Sequence, residues 1–146
     1  MIERFHIAPP GVFNRQVRGR YLYSPLVVVR AAELAHIYVA GKTATLPDGK
    51  VGAVGDMRGQ IALVCEGVRA LLGYVGATLD DVVRTVTYVT DIDAYYAVCE
   101  ERYKYFIGNL PTNTLLGITR LAHPDMLVEI EAEAVVDPAR LRNLKA

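Results

Sequence analysis

Apolar positions recur along this chain with two different periods, and the switches between them divide it into elements. The run Leu26-Val27-Val28-Val29, inside residues 21–32, predicts a strand, and His36-Ile37-Tyr38-Val39-Ala40 predicts a second that stops at Gly41. Only residues 31–35 separate them, which is hairpin spacing. From Asp56 the period lengthens. Met57, Ile61, Val64, Cys65, Val68, Leu71, Leu72 and Val75 recur at steps of three and four, one stripe of an amphipathic helix. Asp56 is suited to cap its start and Gly76 to end it in the left-handed conformation. Alternation returns over residues 82–89, with Val83, Thr85, Thr87 and Val89 on one face and Val82, Arg84, Val86 and Tyr88 on the other. A second helix is expected over residues 94–106, capped by Asp91 or Asp93 and stopped by Asn109 and Pro111. Strands over 114–121 and 126–136 follow, with His123-Pro124-Asp125 as the turn between them. Residues 1–20, interrupted by Pro9-Pro10-Gly11, read as an irregular arm, and residues 137–146 as a polar tail with room for one helical turn.

The order β, β, α, β, α, β, β predicts an α+β fold, a mixed sheet of five to six strands. Two helices cannot cover both faces of such a sheet, so both are expected on one face. The other face is then solvated or buried in an oligomer. With 146 residues the expectation is a single domain, 1–146.

Charge narrows the function. Lys and Arg number 16 and Asp and Glu number 16, for a formal net charge of zero. A general nucleic-acid binder draws affinity from a basic excess that displaces counterions, so no nucleic-acid partner is expected. The arm arginines Arg15, Arg18 and Arg20 either clamp an anion or stay solvated. The most apolar long stretch, residues 61–77, is broken by Glu66 and Arg69, so no membrane span is expected. Cys65 and Cys99 match no metal or redox spacing, and His6, His36 and His123 resemble no zinc site. With no signal-peptide pattern at the N-terminus, a cytoplasmic location is expected.

The last strand carries the most suggestive chemistry. Val128, Ile130, Ala132 and Ala134 share one face, and Glu129, Glu131 and Glu133 the other. Three carboxylates in a row are either a solvated outer face or include one that holds water in an interface site.

Together these segments resemble the reactive intermediate deaminase (Rid), or YjgF-like, superfamily. The likeness spans residues 24–136. It rests on Ile37-Tyr38-Val39-Ala40-Gly41, Gly76-Ala77-Thr78-Leu79-Asp80-Asp81-Val82-Val83, Val89-Thr90-Asp91-Ile92, Pro111-Thr112-Asn113-Thr114 and Val128-Glu129-Ile130-Glu131-Ala132 in that order. The resemblance implies a homotrimer whose sheets pack around a barrel-like centre. It implies hydrolysis of imines and enamines to keto acids and ammonia, in clefts between subunits and without metal or cofactor.

By the same resemblance, Glu129 is the water-holding catalytic glutamate and Gly41 the glycine whose backbone approaches the ligand. Four other positions of the binding site differ from the family pattern. Asn113 stands where active deaminases carry a carboxylate-binding arginine, Leu115 where a small residue is usual, Leu26 for a tyrosine and Lys42 for a glutamine. Ala40 and Cys99 likewise replace a serine and an asparagine. The expectation is a divergent branch with a larger or more apolar ligand, in which Lys42 either restores the lost charge or is solvated. A 2-aminomuconate-type dicarboxylate is one candidate substrate. A non-catalytic small-molecule-binding trimer is the alternative reading, and an endoribonuclease a weaker third.

Overall fold

A computed structural model describes residues 1–145. Six strands form one sheet in the order β1-β4-β5-β8-β6-β7: β1 (Glu3–Ile7), β4 (Leu26–Arg30), β5 (Ala35–Lys42), β6 (Val82–Val89), β7 (Thr112–Gly117) and β8 (Val128–Val136). All neighbours are antiparallel except the pair β6–β7. This is the mixed α+β sheet expected, with β4 and β5 forming the hairpin.

The helix α1 (Met57–Tyr74) lies across β5 and β8 and buries Ile61, Val64, Cys65, Val68 and Leu72 completely. Asp56 caps it, accepting from the Gly59 amide at 2.9 Å. Its stripe meets Leu26, Val28, Ile37, Val39, Val128, Ile130 and Ala134, the inward residues of three alternating strands.

Four details depart from the sequence reading. The arm is not wholly irregular. Residues 3–7 pair with β4 as an edge strand, and Gln16–Val17 (β2) pairs with Arg20–Tyr21 (β3) in a two-residue hairpin. Its turn residues Arg18 and Gly19 both have positive φ, 52° and 77°, the conformation that matches the twist of a tight hairpin.

The second helix is split into a single α-turn, α2 (Ile92–Tyr96), and a 3-10 segment, Cys99–Lys104. The backbone leaves the helical region at Val98 (φ −137°, ψ 10°). The tighter winding eclipses residues three apart, so Lys104 meets the buried Glu101 carboxylate at 2.9 Å. In β6 the alternation is broken by an irregularity between Val82 and Arg84. Val82 therefore packs inward opposite Ala134 while Val83 is exposed. Strand β7 begins at Thr112 and ends at Gly117, earlier than residues 114–121.

The tail docks on the end of α1. The Arg142 amide and Nη2 and the Asn143 Nδ2 donate to the carbonyls of Val75, Gly73 and Tyr74, satisfying acceptors that a helix end leaves open. Arg140 forks onto Asp81 with two bonds of 2.7 Å. Gly76 (φ 93°) is where the chain turns, and a Cβ there would collide with the Arg140 carbonyl. Ala146, the last residue of the expected tail, lies outside the described residues.

Candidate active-site cleft

The pairing of β5 with β8 runs in register from Ala35–Val136 to Val39–Ala132 and then slips before Lys42–Ile130. Ala40 and Gly41 occupy the slip, and Ala40 turns its amide to the Pro25 carbonyl at 3.0 Å. The irregularity opens a gap on the sheet, and the Glu129 side chain fills it. A Cβ on Gly41 would overlap Oε1 of Glu129, so only glycine lets the carboxylate lie against this backbone.

A cavity of about 350 Å³ opens beside the pair. Gly41, Lys42 and Glu129 line it together with Phe13 and Arg15 of the arm and Tyr23 just after it. Its size is that of a small-molecule site. Glu129 is half-buried and has no hydrogen-bond or ion-pair partner among the described residues. Burial raises its pKa above the usual glutamate range, and the neighbouring Glu131 charge raises it further. Such a carboxyl can exchange a proton near neutral pH more readily than a solvated one.

Lys42 reaches the cavity along a different path. It pairs with Ile130 on the helix side, and its stem lies in a notch that Gly67 leaves on α1. Burial lowers its pKa.

The fixing of Glu129 begins two residues upstream of it. Gln60, fully buried in α1, accepts from the Leu127 amide at 2.8 Å and donates to the Asp125 carbonyl at 2.7 Å. This amide staples the entry of β8 to the helix. Sequence reasoning missed it, although the signal was there: a glutamine standing within the apolar stripe, one position before Ile61.

The other two glutamates of the strand are satisfied locally. Glu131 accepts from the Tyr88 hydroxyl. Glu133 lies 3.2 Å from both His36 Nε2 and Arg84 Nη1.

The remaining candidates lie elsewhere in the protomer. Leu26 is wholly buried against α1 and does not line this cavity. Asn113 points to the helix side of the sheet, where its Oδ1 accepts from the hydroxyls of Thr85 and Thr87, both at 2.9 Å. Glu129 is on the opposite side, two strands away. Leu115 packs against the core two residues on from Asn113, and Cys99 turns its thiol to the Tyr96 carbonyl. Beside Asn113 stands Arg102, which also donates to Thr87 Oγ1 (2.8 Å) and Thr85 Oγ1 (3.4 Å). One chain thus brings together Glu129, Gly41 and Lys42, and keeps Asn113, Leu115 and Leu26 apart from them.

Comparison with known proteins agrees with this architecture. The family model described as endoribonuclease L-PSP matches residues 17–136. A RutC family protein of Pyrococcus abyssi is 33% identical over 98 residues, covering 67% of this chain and 76% of that protein. Among solved structures, a Mycobacterium tuberculosis member of the YjgF/YER057c/UK114 family is 38% identical with a TM-score of 0.64, over 78% of this chain and 86% of that one. The Rid-family protein YyfA of Yersinia pestis shares the fold over 92% of this chain and all of its own (TM-score 0.75, 24% identity). The six-stranded mixed sheet with its helices on one face is the fold of a YjgF-like protein. The chain belongs to the endoribonuclease L-PSP family of the Rid/YjgF-like superfamily.

Proposed function

We propose that this protein hydrolyses the C=N bond of an imine, formed directly or from its enamine, and releases ammonia without a cofactor. The observation that carries the reading is Glu129: a half-buried carboxyl, unpartnered among the described residues, held against Gly41 at the wall of a cavity of small-molecule size. Family membership supports a small-molecule deaminase or a related activity in general terms.

In the proposed reaction Glu129 accepts a proton from water as the water oxygen bonds to the imine carbon. The protonated carboxyl then returns the proton to nitrogen. The resulting carbinolamine passes its hydroxyl proton by way of Glu129 to nitrogen as the C–N bond breaks, so that a ketone and ammonia leave and the carboxylate is regenerated. Burial makes the Glu129 carboxylate a stronger base than a solvated one, which favours the first proton transfer, and the acid it forms donates in the second.

The working site is completed by a neighbouring copy in a homotrimer. The sheet face opposite the helices carries Tyr38, Leu116 and Val135 at 41%, 44% and 38% exposure, an apolar surface suited to burial between copies. Sedimentation at micromolar concentration is expected to give three times 16.0 kDa, and a monomer would refute this part.

The test of the chemistry is ammonia release from imines generated in situ by an amino-acid oxidase, across a panel of amino acids that includes aromatic and dicarboxylic ones. Glu129→Gln should lower the rate by about 10²–10⁴-fold and Glu131→Gln much less. Equal losses at both positions, or none at Glu129, would overturn the assignment. One observation favours a second reading, a binding trimer without catalysis: Asn113 spends its carbonyl on Thr85 and Thr87 and contributes no charge. Ligand binding without turnover by any panel imine would support it. The endoribonuclease name of the family is tested by incubation with single-stranded RNA, and the zero net charge argues for no cleavage.

A further inference from the structure

The cleft contains a cation that belongs to neither of its sheet strands. Arg15 lies in the arm, and the family match begins only at residue 17. Its guanidinium stands 5.6 Å from the centre of the Phe13 ring and has no carboxylate partner among the described residues. Two devices hold this segment over the cavity. Phe13 packs on Gly49, where a Cβ would come within 2.8 Å of the ring, so that turn receives the aromatic edge only because it is glycine. Immediately after Arg15, the β2–β3 hairpin reverses the chain and returns Leu22 and Tyr23 to the same cavity.

The charges of the lining then decide what it favours. Glu129 is its one acid, and Arg15 and Lys42 are its bases. Lys42 lays its stem in the Gly67 notch of α1 and carries a point charge, so Arg15 is the one forked donor in the lining. Arg102, the other arginine without a carboxylate partner near the candidate residues, is bonded to Thr85 and Thr87 on the far side of the sheet and lines no part of this cavity.

We propose that Arg15 anchors the carboxylate of the ligand and that Phe13 of the arm, with Leu22 and Tyr23 just after it, selects a carboxylate carried on an apolar or aromatic body. The inference rests on the reading of the Glu129 cleft as the ligand site and identifies its anion-binding group. A guanidinium binds a carboxylate through two parallel N–H bonds, and an aromatic ring beneath it holds the fork in place.

Binding measured apart from turnover tests it. Phenylpyruvate, a 2-keto acid with an aromatic body, is titrated by calorimetry against the wild type, Arg15→Gln, Arg15→Lys and Arg102→Gln. Phenylacetone, which has the same body without the carboxylate, serves as the neutral probe. Arg15→Gln is expected to weaken phenylpyruvate at least tenfold and to leave phenylacetone within about twofold, with Arg15→Lys between wild type and Gln. Arg102→Gln should leave phenylpyruvate affinity unchanged. Melting curves of the variants confirm that each is folded.

Unchanged phenylpyruvate affinity in Arg15→Gln overturns the proposal. So does an equal loss in Arg102→Gln, or no binding of phenylpyruvate to wild type at millimolar concentration. Failure of the deaminase reading looks different: Arg15-dependent binding persists, and no imine is hydrolysed by the wild type.

Discussion

The two ends of strand β8 carry the same residue on the same face and treat it in opposite ways. At one end β5 and β8 pair in register, and Glu133 sits between His36 and Arg84, with His36 stacked on Tyr38 at 4.3 Å between centroids. At the other end the register slips at Ala40 and Gly41, and Glu129 is left half-buried without a partner among the described residues. The strand itself alternates without interruption through both. What separates a neutralised carboxylate from a candidate acid–base group is therefore an irregularity in the neighbouring strand. A regular ladder brings opposed side chains together in pairs, and a slip withdraws the partner and admits a cavity.

The largest expected effect comes from closing that slip. Gly41→Ala places a methyl group in the space of the Glu129 carboxylate, which must swing out of the cleft. Ammonia release should fall by about 10²-fold or more, because small displacements of a reacting group cost that much, and stability should drop by about 1–3 kcal/mol from overpacking. The reverse substitution at the regular end, Ala35→Gly, removes a buried methyl without touching Glu133. It should leave the rate within about twofold, read in the same assay.

Loosening the entry of β8 should come next. Gln60→Leu leaves the Leu127 amide and the Asp125 carbonyl without their buried partner, a loss on the order of 3 kcal/mol in urea unfolding. Hydrogen exchange should quicken at residues 127–129 and stay slow at 133–136, which separates the two ends directly.

A smaller effect concerns pH. The folded-state pKa of Glu129 is raised above its unfolded value, so the folded protein binds more protons than the unfolded chain between the two values. The stability this group contributes is present below the unfolded glutamate pKa and is lost as pH rises through the folded one. Glu129→Gln, which stays neutral, should melt higher than wild type at pH 7.5, and the gap should close towards pH 4. A gap that widens on acidification would contradict the desolvated state of this carboxyl. Glu133→Gln should change stability least, by about 0–1 kcal/mol, since its partners are partly exposed and such pairs contribute little.

The outline of this molecule was legible in the residues themselves. The stripe from Met57 to Val75, the hairpin strands and the alternating β8 depend on periodicity, and periodicity is a local property of the chain. The row of three glutamates on one face, and the glycine ending the second strand, were visible for the same reason. The resemblance gave Gly41 and Glu129, 88 positions apart, separate roles at one ligand site, and their contact emerged only from the fold.

Tertiary structure decided the rest. Alternation assigns a face but cannot see the partner strand, so it could not tell Glu129 from Glu133. It also carried Val82 onto the face of Arg84, because a bulge adds one residue without any change in composition. The resemblance put Leu26 at the ligand site, and within one protomer its pairing with Val39 beneath α1 buries it completely. The arm, read as irregular from its prolines and arginines, gained strand β1 from an edge of the sheet and a place over the cavity from Phe13 on Gly49. These outcomes turn on contacts between residues far apart in the chain. Their free energies exist only once the sheet has assembled, so no window of sequence contains them.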